Sequence, residues 1–526
     1  SAQGDSNASL DLYRKAVEAK PDYLMAHSAI ITSLLQQGKL DEAAKQLDSL
    51  KKIAPKNPQT VYLDAQLSYQ RKDFKAAREL SQQMLKIAPN NPGVLQIAGA
   101  VEFQLGAFVQ AESYLNKALQ QAPEMPLARR LLVANYLRTG QATKASEALA
   151  PVLGKIDKDP AFLALAGQTF LLNGDVKKAE EYFSKATKLD PKDPAKRTSL
   201  AMTHIAMGDT NTGFSELEEI SASDKGSSAD LALISAYLQR NDFDKALKAI
   251  DNLEKKQPND AATYNLRART LIAKKDNAGA RKSFEKALSV NPAFLPAAVS
   301  LAAMDMADKK PDDARKRFEL ILASDPKNVG ALLALADLKN AVGGKQEEVL
   351  GFITKAVEAN PSEYAPRLSL IEFHLRNKDS KAALAAAQNA LAAIPDKPEL
   401  LDALGRTQQI AGDSNQALAT YTKLAALQPT SPTAAMRMAE IQLANKNKEE
   451  GAKSFRRALE IKPDLLEAQR GLIMLAMDGK KPEDALVLAR NIQKQRPKEA
   501  VGFVLEGDVF ASGKQWPEAI SAYRTG

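Results

Sequence analysis

The chain of 526 residues has no cysteine, three histidines, one tryptophan and only 6% aromatic residues. Without cysteine, disulfides and thiolate metal sites are excluded within these residues. The compartment stays open, since a cysteine-free chain works in cytosol or periplasm. His27, His204 and His374 show no HExxH spacing, and there is no Walker loop, GxSxG elbow or GxGxxG after a strand. Each histidine therefore reads as a helix-face residue, and we expect no enzyme and no cofactor. No apolar run is long enough to span a membrane. No lysine or arginine run suggests a nucleic-acid tail, and a net charge of +8 from 72 basic and 64 acidic residues is a weak bias on so long a chain. With 44% apolar residues, many of them alanine, the chain suits close helix–helix contact better than a sandwich or barrel.

What is present is a repeated unit, seen clearly in GDVKKAEEYFSKATKLDP from Gly174 to Pro191. Gly174 suits a turn that leaves one helix and starts the next. Ala179, Phe183 and Ala186 fall on one helical face. The alanines admit a neighbouring helix and Phe183 fills the space beside them. Pro191 lacks an N–H and ends the helix.

The terminating proline recurs at Pro21, Pro55, Pro89, Pro123, Pro191, Pro258, Pro292, Pro326, Pro361, Pro395, Pro429, Pro463 and Pro497. The step is 34 residues, with Asp157 and Lys225 filling two slots. Twelve residues before each slot stands a small side chain: Ser9, Ala43, Ala77, Ala111, Ala145, Ala179, Gly213, Ala246, Ala280, Ala314, Ala383, Ala417, Gly451, Ala485 and Ala519, with Val349 as the exception. Four residues later a filler follows in many repeats: Tyr13, Leu47, Leu115, Phe183, Phe284, Phe318, Tyr421, Phe455 and Tyr523. Gly38, Gly106, Gly140, Gly174, Gly208, Gly344 and Gly412 mark the turn between helices, and elsewhere Asn241 or a lysine takes that place. Gly99, Gly167, Gly405 and Gly507 match the point where the two helices of a unit cross. Trp516, after the last such turn, reads as packing.

This 34-residue, two-helix pattern resembles the tetratricopeptide repeat (TPR). The resemblance implies an all-α solenoid of antiparallel helix pairs, wound as a right-handed superhelix with first helices lining a concave groove. We expect a single solenoid over residues 1–526: a half repeat at 1–21, fourteen repeats over 22–497 and a truncated repeat at 498–526. The step is one residue short after SASDKGSSAD (221–230) and one residue long around Gly343 and Gly344. Two readings stay open: neutral drift in the length of surface loops, or flex points near 221–230 and 341–346. The chain begins without Met partway into a repeat and stops partway through another, so we expect a fragment of a longer parent.

Function then lies in a surface. The family's groove positions, projected onto the first helices, give Tyr62, Gln66, Tyr69, Arg130, Gln168, Asn265, Arg269, Glu372, Arg376, Asp402, Arg406, Glu440 and Arg470 as candidate contacts. Arginine forks to both oxygens of a carboxylate, and Tyr62 and Tyr69 can stack on a sugar ring or an aromatic side chain. No asparagine stands midway along the first helices where the register is clear, which argues against a clamp for chaperone C-termini.

Several stretches resemble a narrower family. They are ADLALISAYLQRNDFDKALKAIDNLEKKQP (229–258), DLLEAQRGLIMLA (464–476), QRPKEAVGFVLEGD (495–508), GDSNASLDLYRKAVEAKPDYL (4–24) and LARRLLVANYLRTGQ (127–141). They are similar to the PrsT-type TPR lipoproteins of the exosortase/PEP-CTERM system. That resemblance implies a periplasmic scaffold, membrane-anchored in its parent through a lipid outside this sequence. It would act through envelope protein partners, in exopolysaccharide assembly or export or in handling PEP-CTERM proteins. Two other readings remain open: direct binding of an anionic polysaccharide in the groove, and the regulatory arm of a glycosyltransferase.

Overall fold

The computed structural model describes residues 2–526, with side chains from residue 8 onward. Among the described residues there are thirty-one α-helices, one 3-10 helix and no strand. Contacts group the chain into two compact units, Ser1–Pro258 and Asn259–Gly526. Each is a stack of antiparallel helix hairpins, an α-solenoid. Within a unit each helix packs on the next, and in several places the first helices of successive hairpins also touch.

The 34-residue step has a simple local anatomy. Pro58–Gln70 is a 13-residue first helix and Phe74–Ile87 a 14-residue second helix, joined and followed by short links. First helices start on caps such as Asn57, Asn91, Asp159 and Asp193, whose side chains accept backbone N–H groups. A proline at the first helical position follows each of these, where its missing N–H costs nothing. Second helices start on Asp73, Asp175, Asp242, Asp276, Asp379 and Asp413. Each such cap contributes about 1 kcal/mol. The terminating prolines sit just past the second helix, as Pro55 does after the cap residue Ala54.

The turn between helices needs a left-handed residue. Gly174 has φ +81° there, and Asn241 and seven lysines (Lys72, Lys275, Lys309, Lys378, Lys446, Lys480 and Lys514) hold φ between 56° and 67° at the same point. One turn differs from the sequence reading. Gly343, not Gly344, takes the left-handed place, with φ +71°. Its N–H bonds the Asn340 carbonyl and that of Gly344 bonds the Lys339 carbonyl, which is the pattern of the other turns. The extra residue therefore falls after the turn, before the helix Gln346–Ala359.

The core follows the small-residue row. All its members are buried apart from Ser9, which is exposed while neighbouring Leu10 takes the buried place. The fillers lock into the crossing glycines. A Cβ on Gly167 would lie 2.8 Å from the Phe183 ring, and one on Gly405 would lie 2.5 Å from that of Tyr421. Tyr13 and Tyr523 lie in the first and last described helices and stay 43% and 42% exposed. Tyr523 still sits on its crossing glycine, since a Cβ on Gly507 would run into its ring, whereas Trp516 is 57% exposed in the first turn of Trp516–Thr525 and is not the buried packing residue expected. Pro151 breaks another expected regularity. The α-helix Ala142–Leu149 stops early and continues as the 3-10 helix Ala150–Lys155, since proline cannot supply the next helical N–H.

The short step at 221–230 takes in the end of Thr210–Ser223, the link 224–227 and the start of Ser228–Gln239, and its two helix ends are pinned together. Asp230 is fully buried and accepts from Ser221 Oγ at 2.5 Å and from Lys256 Nζ at 2.6 Å. Lys256 also donates to the Ser221 carbonyl at 2.6 Å.

Candidate functional site

The thirteen candidate groove residues sort into three groups. Tyr62, Gln66 and Tyr69, all on Pro58–Gln70, line one pocket of about 220 Å³ in the first unit. Leu24–Gln36 contributes Thr32, Leu35 and Gln36; Pro92–Gln104 contributes Gln96, Ile97 and Ala100; Gln70 and Leu127 complete the wall. The periodicity explains the arrangement, since first helices one step apart bring equivalent faces together. Both tyrosines rest on a core cluster of Ala65, Ala77, Ile97 and Val101. Phe74 meets the Tyr69 ring edge-on at 5.7 Å, and Gln104 donates to its hydroxyl at 3.5 Å. Burial raises the Tyr62 phenol above its usual range, with Gln66 beside the hydroxyl opposing it. No carboxylate, ammonium or guanidinium group lines this pocket.

The second group is a charge ladder in the second unit. Arg406 donates to Glu372, one helix away, and its guanidinium also lies 3.4 Å from Asp402. Asp402 in turn meets Arg437 at 3.2 Å, and Arg437 reaches Glu440 at 3.2 Å. The links cross from Tyr364–Arg376 to Pro398–Ile410 to Thr433–Ala444. Three carboxylates share two guanidinium groups, so the ladder carries one net negative charge. Arg437 was missed by the groove projection because it lies one turn before Glu440.

Arg376 stands beside this ladder and lines a second pocket, of about 200 Å³, with Asp337, Asn340, Ser369 and Phe373 among its walls. Asp337 occupies the register position of Gln66, each lying eleven residues past its terminating proline, Pro326 and Pro55, and was not among the candidate contacts. Desolvation raises its carboxyl above the ordinary range, with Arg376 opposing. The remaining candidates are not brought together. Arg130 reaches only Asp159, at 3.7 Å. Gln168, Arg269 and Arg470 are exposed, and Asn265 is half-buried with its amide oxygen unpartnered.

Two of the three histidines, His27 and His204, are tied to structure. His27 is buried, with one ring nitrogen 2.8 Å from the Pro21 carbonyl and the other 2.7 Å from the Gln46 amide. His204 meets Glu216 at 2.7 Å. Among the described residues no three His, Asp or Glu side chains gather in a way that would hold a metal ion. Among the described residues no helix is long and apolar enough to cross a membrane.

Three family models described as tetratricopeptide repeat match the chain. One matches residues 1–67, 102–168 and 271–338, a second 231–296 and 403–465, and a third 161–193. A model described as anaphase-promoting complex, cyclosome, subunit 3 matches residues 36–118. Cellulose synthase operon protein C of Pseudomonas fluorescens (strain SBW25) is 29% identical over 186 residues, covering 34% of this chain and 14% of that protein. The chain thus matches only a small part of that relative's length. The crystal structure of the APC/C hetero-tetramer Cut9–Hcn1 aligns at 15% identity and TM-score 0.31, covering 88% of this chain and 98% of that one. The structure of Naa15/Naa10 bound to HypK-THB aligns at 14% identity and TM-score 0.41, covering 95% and 93%.

Proposed function

From the premise that this chain belongs to the tetratricopeptide-repeat superfamily, we propose that it is a scaffold for protein partners of exopolysaccharide assembly or export at the cell envelope. Scaffolding follows from the architecture. Rows of first-helix side chains are held in place by the hairpins behind them, so several weak contacts to one partner add through effective concentration. The observation that carries the exopolysaccharide reading is the similarity to a protein whose name ties it to a cellulose synthase operon. The PrsT-like stretches support it independently and extend it to a periplasmic location, a lipid anchor in the parent, and a role in handling PEP-CTERM proteins.

An anionic polymer gripped by groove arginines is the weaker reading. Arg406 already holds Glu372 and Asp402, so it has little left to offer an outside carboxylate. A regulatory arm of a glycosyltransferase requires a catalytic domain elsewhere in the parent.

The test is cross-linking in cells that produce this protein, followed by mass spectrometry of captured proteins and fractionation of the envelope. Polysaccharide synthesis or export proteins, captured from the periplasmic or membrane fraction, are expected. Capture of cytosolic complexes alone overturns the envelope reading.

A further inference from the structure

We propose that the Tyr62–Tyr69 pocket is a subsite for one uncharged sugar ring of a polysaccharide chain. This deepens the exopolysaccharide reading and rests on it.

Charge, or rather its lack, comes first. A quarter of the chain is charged, 26% by composition, yet the pocket wall carries no ionised side chain. Placing a carboxylate or sulfate there would desolvate it without a partner, which is costly. The occupant is therefore neutral. The polar groups on offer are mainly amides: Gln36, Gln66, Gln70 and Gln96. Each amide both donates and accepts, and so does each hydroxyl of a sugar. The two phenol rings add flat apolar faces with polar tips, and Ile97 and Ala100 supply an apolar floor. A pyranose has this same division, with C–H groups on its faces and hydroxyls around its rim.

Size and rigidity agree. A volume of about 220 Å³ falls below the roughly 300–1,000 Å³ of drug-sized sites, enough for a ring and too little for a folded peptide turn. Tyr69 is fixed by Phe74 and Gln104, and Tyr62 by the core beneath it. The platform is thus formed before a ligand arrives, which lowers the ordering cost of binding.

The test is calorimetric titration of the 526-residue chain with three probes: a neutral gluco-oligosaccharide hexamer, an oligogalacturonate hexamer and an uncharged blocked peptide. The neutral hexamer is expected to bind, with an affinity that barely changes between low and high salt because no ion pair is formed. Tyr62→Ala and Gln66→Leu should each weaken it about tenfold, which is the size of one lost contact worth ~1.4 kcal/mol, with circular dichroism showing both variants folded. Tyr62→Phe should retain most of the affinity. Binding only to the galacturonate, with loss at high salt, overturns the proposal in favour of an anionic polymer. Binding only to the peptide overturns it in favour of a peptide groove. A neutral sugar that binds equally well to Tyr62→Ala and Gln66→Leu also overturns it, as does no binding of any probe. In each of those cases capture of envelope partners by the protein would still stand, so failure of the subsite and failure of the scaffold are told apart.

Discussion

Gly405 offers the sharpest check on how these hairpins are held together. Its helix, Pro398–Ile410, crosses Ser414–Leu427 where Tyr421 is fully buried. An added Cβ would sit 2.5 Å from the Tyr421 ring, and the ring has no free direction, because its hydroxyl also donates to the Asp402 carbonyl at 3.3 Å. Two opposed terms set the outcome of Gly405→Ala. Alanine favours the helix over glycine by about 0.8–1.0 kcal/mol, while overpacking a tight core costs about 1–3 kcal/mol. The net result is expected to be destabilising, by up to about 2 kcal/mol on those figures. Tyr421→Ala alone removes a large buried ring and should cost about 3–5 kcal/mol, by analogy with other aromatic truncations. In that background the clash is gone, so adding Gly405→Ala should stabilise by close to 1 kcal/mol, the helix-propensity term alone. The sign therefore reverses. A global melt blurs this in a solenoid, whose neighbouring repeats open separately. Hydrogen exchange of the amides in these two helices is the suitable assay. If Gly405→Ala stabilises both backgrounds alike, the crossing is looser than described and glycine is not there to admit the ring.

Other perturbations probe the polar contacts. Lys256→Met leaves the fully buried Asp230 carboxylate without its cation and should cost about 3–5 kcal/mol; faster hydrogen exchange across 221–230 and partial recovery on adding Asp230→Asn would confirm it. For Asp305, burial alone would raise the carboxyl, but Arg317 and Arg281 outweigh it and hold it below its usual range. A lowered folded value means stability that is present above the unfolded pKa of about 3.9 and lost as pH falls through the folded one. Asp305→Asn should thus weaken the second unit at neutral pH and flatten its acid unfolding curve, read by circular dichroism against pH. Arg406→Gln cuts the ladder between Glu372 and Asp402, where each partner is about one-quarter to one-third exposed. It should cost less than about 1 kcal/mol, with the difference shrinking in high salt; a much larger loss would show that the ladder holds the hairpins together.

The fold was legible because one short-range rule repeats. A small residue is required wherever a second helix meets its neighbours, and a terminator wherever it stops, so period and helix pairing could both be counted. Departures came where a single residue changes the count or the helix type. Shifting the left-handed turn from Gly344 to Gly343 needs hydrogen bonds, not spacing, to decide. Pro151 lies inside a segment whose alanine and leucine pattern is otherwise helical. The Lys256–Asp230 clamp joins residues 26 apart, a pairing for which a polar loop followed by an amphipathic helix gives no sign.

The candidate site was legible in position and much less so in chemistry. Register alone puts Arg406 among the groove candidates, but its guanidinium does not fork to one carboxylate and instead reaches two with separate nitrogens. The carboxylates it meets are Glu372 and Asp402 of this chain. The reason is geometric. A 34-residue repeat sets equivalent positions of adjacent first helices side by side, so an acid in one repeat and an arginine at the matching place in the next become neighbours by construction, as Glu372 and Arg406 do, and Asp402 and Arg437 nearly do. Charges spaced at the period therefore tend to satisfy one another. Amides and phenols at the same period, such as those around Tyr62 and Gln66, cannot neutralise each other in this way and keep hydrogen-bonding capacity for something else. In a solenoid of this kind the uncharged stretch of the groove is thus the better place to look for a ligand, even though the arginines draw attention first.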